Sequence, residues 1–305
     1  MELNPSQLDA LVAIAACGSF EAAARQLHIT PSAVSQRIRA LEISVGQVLV
    51  SRGTPCVPTP RGERLVQLGR QTRLLYDEAR QELGAVTSVE LPVAVNADSL
   101  GTWFRDVLAE ASDWEATAVL LHVEDQAYSQ DLLRRGDALA AVTSDPVAVQ
   151  GCTVEPLGAM RYVPAATPAF AERWRRDDDR LDWAAMPMLV FNDKDDLQHR
   201  QLGSRQLEGR EPGGRELEGW VPSVVHRVPS TSDFYEAARL GLGWGMLPEL
   251  QARSDLDAGR LVLLSGDAID VPLHWQHWRI DSPRLVKLTE AVRRAARSHL
   301  RPPVA

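Results

Sequence analysis

The sequence predicts a multidomain chain that joins an α+β head to an α/β body. It comprises an amino-terminal winged helix-turn-helix, a long linker helix, and a region where strands alternate with helices. Three observations predict this. Two short amphipathic patterns meet at a tight turn within residues 20–42. Thr59-Pro60 opens a long, uninterrupted helical pattern. After residue 90, short apolar runs alternate with helical stretches.

Asn4–Ala16 is the first helix pattern, with Leu8, Leu11, Val12 and Ala15 on one face and Asn4-Pro5 as its start signal. In the next helix Ala22, Ala23 and Leu27 form the apolar stripe, and the alanines let a neighbour approach closely. Thr30 is placed as an N-cap and Pro31 suits the first helical position. A second helix therefore runs over about Pro31–Val45, with Ala33, Val34, Ile38 and Leu41 inward. Its outward side chains, Ser32, Ser35, Gln36, Arg37 and Arg39, donate to phosphates and base edges without blocking entry to a major groove. Ser35 and Arg37 are the expected groove-facing pair. An ordinary helical hairpin with a polar outer face fits the same local pattern.

The flanks favour DNA. Short β-favouring runs around the Pro-rich Thr54–Gly62 segment suggest a two-stranded wing. Thr59 caps a helix from Arg61 to about Leu83, whose Leu65, Leu68, Leu75, Ala79 and Leu83 suit coiled-coil pairing despite imperfect heptads. Arg52 in the wing and Arg61 at the helix start are expected phosphate anchors. With the cap residues, the candidate DNA contacts are Thr30, Ser32, Ser35, Gln36, Arg37, Arg39, Arg52, Thr59 and Arg61.

Beyond residue 90, strands are expected at Leu91–Asn96, Val119–Val123, Ala138–Thr143, Met160–Ala166, Pro187–Phe191, Val224–Val228 and Gly243–Leu247. Helices are expected from Asp98 or Ser99, over Gln130–Gly136 and over Ser232–Leu240. Such alternation implies parallel sheets. Gly203–Gly219 reads as an enlarged loop, with Leu-Glu-Gly twice around a Gly/Pro-rich centre, and carries no assigned function.

Composition narrows the function. The net charge of −8 is divided unevenly: residues 1–73 hold eight arginines against five acids, which leaves −11 for the rest. A basic head with an acidic body suits local DNA contact and a cationic ligand, and argues against general nucleic-acid wrapping. Cys17, Cys56 and Cys152 are widely spaced, fit a reducing compartment and offer no metal-ligand spacing. No apolar stretch approaches the ~20 residues of a membrane span and no leader pattern opens the chain, so a cytoplasmic protein without membrane contact is expected. Gly241, Gly243 and Gly245 have the wrong spacing for a nucleotide fingerprint and are better explained by close packing. With no nucleophile, phosphate-loop or metalloprotease motif, neither an enzyme nor a cofactor or metal is expected.

The series Gly18-Ser19-Phe20, Ala22-Ala23, Leu27, Thr30–Ser35, Ile38, Leu41-Glu42, Gly46, Leu49, Arg52, Thr59 and Gly62 resembles the LysR-type transcriptional regulators. Val50 departs from it, standing where that family usually has an aromatic. Val95–Phe104, Val123–Gln126, Leu132–Gly136, Gly151-Cys152, Ala238–Pro248 and Trp275–Trp278 are similar to its LysG/ArgP subgroup, regulators of basic amino acid export. The resemblance implies a winged helix-turn-helix over 1–60, a linker and dimerisation helix over 61–86, and an effector-binding region over 87–305. That region would be two-lobed and like periplasmic binding proteins, with lobe I at about 87–163 and 268–305 and lobe II at about 164–267. It also implies a homodimer or homotetramer on operator DNA, control of an exporter gene, RNA polymerase as a further partner, and lysine or arginine in the inter-lobe cleft.

In open α/β sheets, ligands sit at the carboxyl ends of strands, facing helix amino termini. Asn96-Ala97-Asp98-Ser99 and Pro229-Ser230-Thr231-Ser232-Asp233 have that character. Ser99 and Thr231 are candidates for an α-carboxylate, and Asp98 and Glu124 for the amino groups, with Asn96, Asp125, Thr143 and Ser232 nearby in the pattern. Asp98 or Ser99 also reads as a simple helix cap. Two other functions fit part of the pattern: an architectural DNA binder that affects replication or the nucleoid, and an amino-acid-binding protein or enzyme without a regulatory role.

Overall fold

A computed structural model describes residues 3–51, 53–85, 88–123, 126–192, 195–208 and 224–302. The head begins with α1 (Pro5–Cys17), α2 (Phe20–Gln26) and α3 (Pro31–Val45), followed by β1 (Val50–Ser51), β2 (Val57–Pro58) and the linker helix α4 (Pro60–Glu82). Local chemistry sets the helix starts. Asn4, Ser19, Thr30 and Thr59 each accept a backbone N–H from the first turn of the helix that follows, satisfying donors that a helix otherwise leaves open. Leu8, Leu11, Ile14, Ala23, Ala24, Val34, Ile38, Leu41, Leu49 and Val66 close one small core. In α2 the buried alanines are Ala23 and Ala24, whereas Ala22 is only half-buried. β1 and β2 pair antiparallel through Val50↔Pro58 and Ser51↔Val57, which makes the wing.

The remaining chain gives β3 (Val89–Val95), α5 (Ala97–Gly101), α6 (Arg105–Ala111), β4 (Thr117–Val123), α7 (Gln126–Arg135), β5 (Ala140–Thr143) and β6 (Cys152–Ala166). Next come α8 (Pro168–Arg173), β7 (Met188–Val190), α9 (Leu197–Glu208), β8 (Val225–Arg227) and α10 (Thr231–Arg239). The series ends with β9 (Gly245–Pro248), α11 (Glu249–Asp257), β10 (Val262–Leu263), β11 (Ile269–Trp278) and α12 (Pro283–His299).

Two compact units result. The first holds Met1–Asn96, Ala109–Glu155 and Trp275–Glu290. In it β3 lies between β4 and β5, parallel to both, and Trp278 N–H donates to the Leu139 carbonyl at 3.0 Å beside them. The second holds Ala97–Leu108, Pro156–His274 and Ala291–Ala305. In it β6 pairs antiparallel with β9 and β10, and β7 pairs parallel with β8. The expectation of parallel sheets thus fails at β6, β9 and β10. β6 is also far longer than the strand expected at 160–166, because Pro156 and Gly158 mask its alternation. The glycine series is a packing device. A Cβ at Gly245 would sit 2.9 Å from the Phe234 ring on α10, and one at Gly243 would sit 2.9 Å from the Pro187 carbonyl oxygen. The expected loop at Gly203–Gly219 is corrected in its first part, since residues 203–208 are the end of α9, and residues 209–219 lie outside the described residues.

Gly62 tests how tightly wing and linker are joined. A Cβ there would stand 2.1 Å from the Leu49 carbonyl oxygen. Alanine at a helical glycine ordinarily gains about 1 kcal/mol, but overpacking against fixed backbone costs about 1–3 kcal/mol. Gly62→Ala should therefore lower the urea midpoint of the head with little change in slope. A raised midpoint would contradict this packing.

Candidate functional site

Two groups of side chains stand out: an exposed stripe on the head, and a buried carboxyl cluster in the second unit. On α3, Val34, Ile38 and Leu41 are buried, while Ser32, Ser35, Gln36 and Arg39 are exposed on the opposite side. Thr30 Oγ1 accepts the Ala33 N–H at 3.2 Å and lies 2.9 Å from Ser32 Oγ, so both hydroxyls take part in the cap. Arg37 is half-buried at the flank of the stripe. At 3.6 residues per turn it stands about 160° around the helix from Ser35. The expected Ser35–Arg37 pair therefore does not share one direction, and Gln36 and Arg39 are better aimed alongside Ser35.

The wing is tied to this helix by Glu42, whose Oε1 accepts the Leu49 N–H at 2.9 Å and the Val50 N–H at 3.4 Å. Thr59 Oγ1 accepts the Gly62 N–H at 3.1 Å and donates to the Val48 carbonyl at 2.9 Å. That hydroxyl is committed to holding linker and wing together rather than free for a phosphate. Arg61 is exposed in the first turn of α4. Arg52 lies outside the described residues.

In the second unit, Asp98 on α5 meets Tyr162 on β6 and Thr231 at the start of α10. The Tyr162 hydroxyl donates to Asp98 Oδ2 at 2.7 Å, and the Thr231 hydroxyl donates to Oδ1 at 3.3 Å. Burial pushes the Asp98 carboxyl above its ordinary range, although both hydrogen bonds oppose the shift. Burial likewise pushes Tyr162 well above its ordinary value, helped by the Asp98 charge. Asp195 accepts the Phe191 N–H at 2.9 Å and the Leu197 N–H at 3.3 Å, and burial raises its pKa too. The charges of Asp98 and Asp195 oppose one another. Beside Asp98, the Ser99 hydroxyl is fully buried with no hydrogen-bond partner among the described residues. Among the described residues no basic side chain pairs with Asp98 or Asp195, and the hydroxyl of the neighbouring Ser99 is unspent.

The structure brings Asp98 and Thr231 into contact and leaves Ser99 available. Thr231 gives its proton to Asp98, which departs from the expected α-carboxylate role. Ser232 is exposed, its hydroxyl 3.2 Å from that of Ser230. Asn96 and Thr143 belong to the first unit. There the Asn96 side-chain oxygen is buried without a hydrogen-bond partner among the described residues, and Thr143 Oγ1 accepts the Asp145 N–H at 3.1 Å. Glu124 and Asp125 lie outside the described residues. The sequence reading missed Tyr162, hidden in a strand 64 positions from its partner. It also missed Asp195, which sits in a charged run that reads as solvated surface.

Comparison with known proteins follows the same division. Residues 5–63 match the bacterial regulatory helix-turn-helix proteins of the lysR family, and residues 85–301 match the LysR substrate binding domain. The chain is 49% identical over 305 residues to the lysine export transcriptional regulatory protein LysG of Corynebacterium efficiens, spanning 98% of this chain and 100% of that protein. Full-length LysG of Corynebacterium glutamicum with bound effector arginine is similar at TM-score 0.80 and 46% identity, covering 98% of this chain and 100% of that one. ArgP of Mycobacterium tuberculosis is similar at TM-score 0.85 and 43% identity, covering 99% and 100%.

Three expected outcomes follow from these geometries. Gln36→Ala should relax sequence preference by about 1–3 kcal/mol if Gln36 reads a base. Arg61→Ala should weaken specific and random duplexes alike and reduce the salt slope by about one. Footprinting with a salt titration measures both, and unchanged preference in Gln36→Ala would move base reading to Ser35 or Arg39. The third outcome concerns Asp98. An acid whose pKa is raised by folding holds its proton more tightly in the native state, so its contribution to stability falls as pH rises from the ordinary carboxyl range to the raised value. Asp98→Asn should flatten stability against pH in that window, leaving the parallel contribution of Asp195. Denaturant unfolding across the acid-to-neutral range decides it, and an unchanged pH slope would contradict the burial of this carboxyl.

Proposed function

The chain belongs to the LysR family of bacterial helix-turn-helix regulators, and on that premise we propose that its operator binding responds to lysine or arginine and that its targets include an exporter gene for that amino acid. The observation that carries the effector reading is the Asp98 cluster. A carboxyl group whose burial is only partly offset by hydrogen bonds gains most from a cation delivered into the same space. In this reading Asp98, supported by Tyr162 and Thr231, takes an ammonium or guanidinium group, and Asp195 adds negative potential. The free Ser99 hydroxyl meets the α-carboxylate. Glu124 and Asp125 stay in the proposal by their place after β4.

The family also removes the enzyme alternative, since the relatives are transcriptional regulators. An effector changes operator affinity only by the difference in its affinity for two states of the protein. We assign residues 1–60 to DNA, 61–86 to the linker and dimer contact, and 87–305 to the effector. The dimer contact rests on an apolar side of α4 that faces neither the head nor the α/β layer: Leu68, Leu75 and Tyr76 are 38%, 43% and 51% exposed. An architectural DNA binder would hold the same operator with the same affinity whether or not an amino acid is present.

Calorimetry on the full chain tests the effector. Lysine and arginine should bind, and norleucine, of similar length but without the side-chain cation, should bind about 3–5 kcal/mol more weakly, because one partner of a buried pair is missing. Below the raised Asp98 pKa, cation binding should release a proton, so the heat should differ between buffers of unlike ionisation enthalpy, and Asp98→Asn should abolish that difference. Equal affinity for norleucine would overturn the reading. Assembly has its own test. Leu68→Asp with Leu75→Asp places charge in the proposed seam, and sedimentation should show smaller species with lost operator binding. An unchanged oligomer would exclude this helix as the contact.

A further inference from the structure

Helix α4 has one more side to account for. Gly62, Val66 and Gly69 face the head, where a Cβ at Gly69 would meet Val12 Cγ2 at 2.8 Å. Gln67, Arg70, Leu74, Glu78 and Gln81 recur at steps of three and four residues and so form a separate stripe. Every polar member of that stripe is bonded to the α/β layer of the same unit. Gln67 Nε2 donates to the Arg134 carbonyl at 3.2 Å, Arg70 Nη1 donates to the Arg135 carbonyl, and Arg70 pairs with Asp137. Those carbonyls close α7, where a helix leaves acceptors open and carries the negative end of its dipole. Gly136 follows at φ 72°, and a Cβ there would lie 3.3 Å from the Gln67 Cα. Glycine is thus required both for the turn and for the approach, and the Leu132–Gly136 motif gains a physical reason.

Farther along α4, Glu78 is only 6% exposed. It accepts the Ser282 hydroxyl at 2.6 Å and the Arg284 N–H at 3.4 Å, at the start of α12. Arg284 Nη2 in turn donates to Gln81 Oε1 at 2.8 Å. Largely desolvated charges that lose their partners are costly, so contacts of this kind tend to hold or release together.

We propose that two polar clasps, Gln67 and Arg70 on the end of α7 and Glu78 and Gln81 on the start of α12, latch the linker helix onto the α/β layer, so that the helix stays seated there while both are closed. The clasps rest on geometry alone. Their regulatory consequence, that the layer sets where the head stands when the effector binds, rests on the function proposed above.

Hydrogen exchange on full-length protein tests the clasps without reference to any effector. In Arg70→Met with Glu78→Leu, the Arg284 amide and those of residues 133–137 should exchange at least tenfold faster, with α1–α3 and β3 unchanged. Asp137→Asn, which leaves α4 intact, should speed exchange at 133–137 alone and serves if the double variant folds poorly. Exchange unchanged from wild type at these amides in Asp137→Asn and in the folded double variant overturns the proposal. In the second arm, arginine should alter operator affinity in wild type, and the double variant should lose at least half of that change while binding arginine as before. A wild-type operator affinity indifferent to arginine would count against the effector reading and leave the exchange result to decide the clasps.

Discussion

A helix that must meet a head on one side and a sheet layer on another cannot rely on a single apolar stripe. In α4 the demand is met by dividing the surface. Small residues at Gly62 and Gly69 let the head come close, long polar side chains from Gln67 to Gln81 reach the layer, and Leu68, Leu75 and Tyr76 stay open. The wing depends on the same helix, since Thr59 joins its start to Val48 and Leu49. The placement of the exposed stripe on α3 therefore follows from how α4 is seated.

The second unit shows the converse economy. The head uses its hydroxyls and acids to cap helices and fix turns, as Thr30, Thr59 and Glu42 do. Around Asp98, among the described residues, the Ser99 hydroxyl is unspent and neither Asp98 nor Asp195 has a basic partner. Most buried polar groups in folded proteins are paired, so such a site is costly until a ligand completes it. The acidic excess of the body, −11 against +3 for residues 1–73, adds a long-range attraction for a cation.

The head was legible in the sequence because its signals are local. Asn4, Thr30 and Thr59 each precede a proline and each cap the helix that follows, and the recognition helix runs over Pro31–Val45 as its cap and stripe imply. The body was legible where a strand is a short apolar run, as at β3, β4, β5 and β7, and at the helices α7 and α10. α9, α11 and β11 carry no comparable punctuation, whereas α12 does, since Ser282 precedes Pro283 and accepts the Leu285 N–H at 3.1 Å, and the reading passed over it. The antiparallel pairing of β6 with β9 and β10 depends on partners some 80 to 100 positions away. Asp98 was found from its place after a strand. Tyr162 and Asp195 were not, because burial, which gives both their significance, is a property of the folded chain. Glu78 reads as one more solvated helix acid, and only Ser282 and Arg284, about 200 positions on, reveal it as a clasp.

The central claim is that a side-chain cation, meeting the Asp98 cluster, changes how the head holds DNA. Citrulline has nearly the shape of arginine without its charge, so a paired operator titration tests the claim most directly. Arginine should shift the operator affinity or footprint of the full-length protein, and citrulline at the same concentration should leave both as they are without ligand. An equal response to citrulline, or no response to either, would contradict the account.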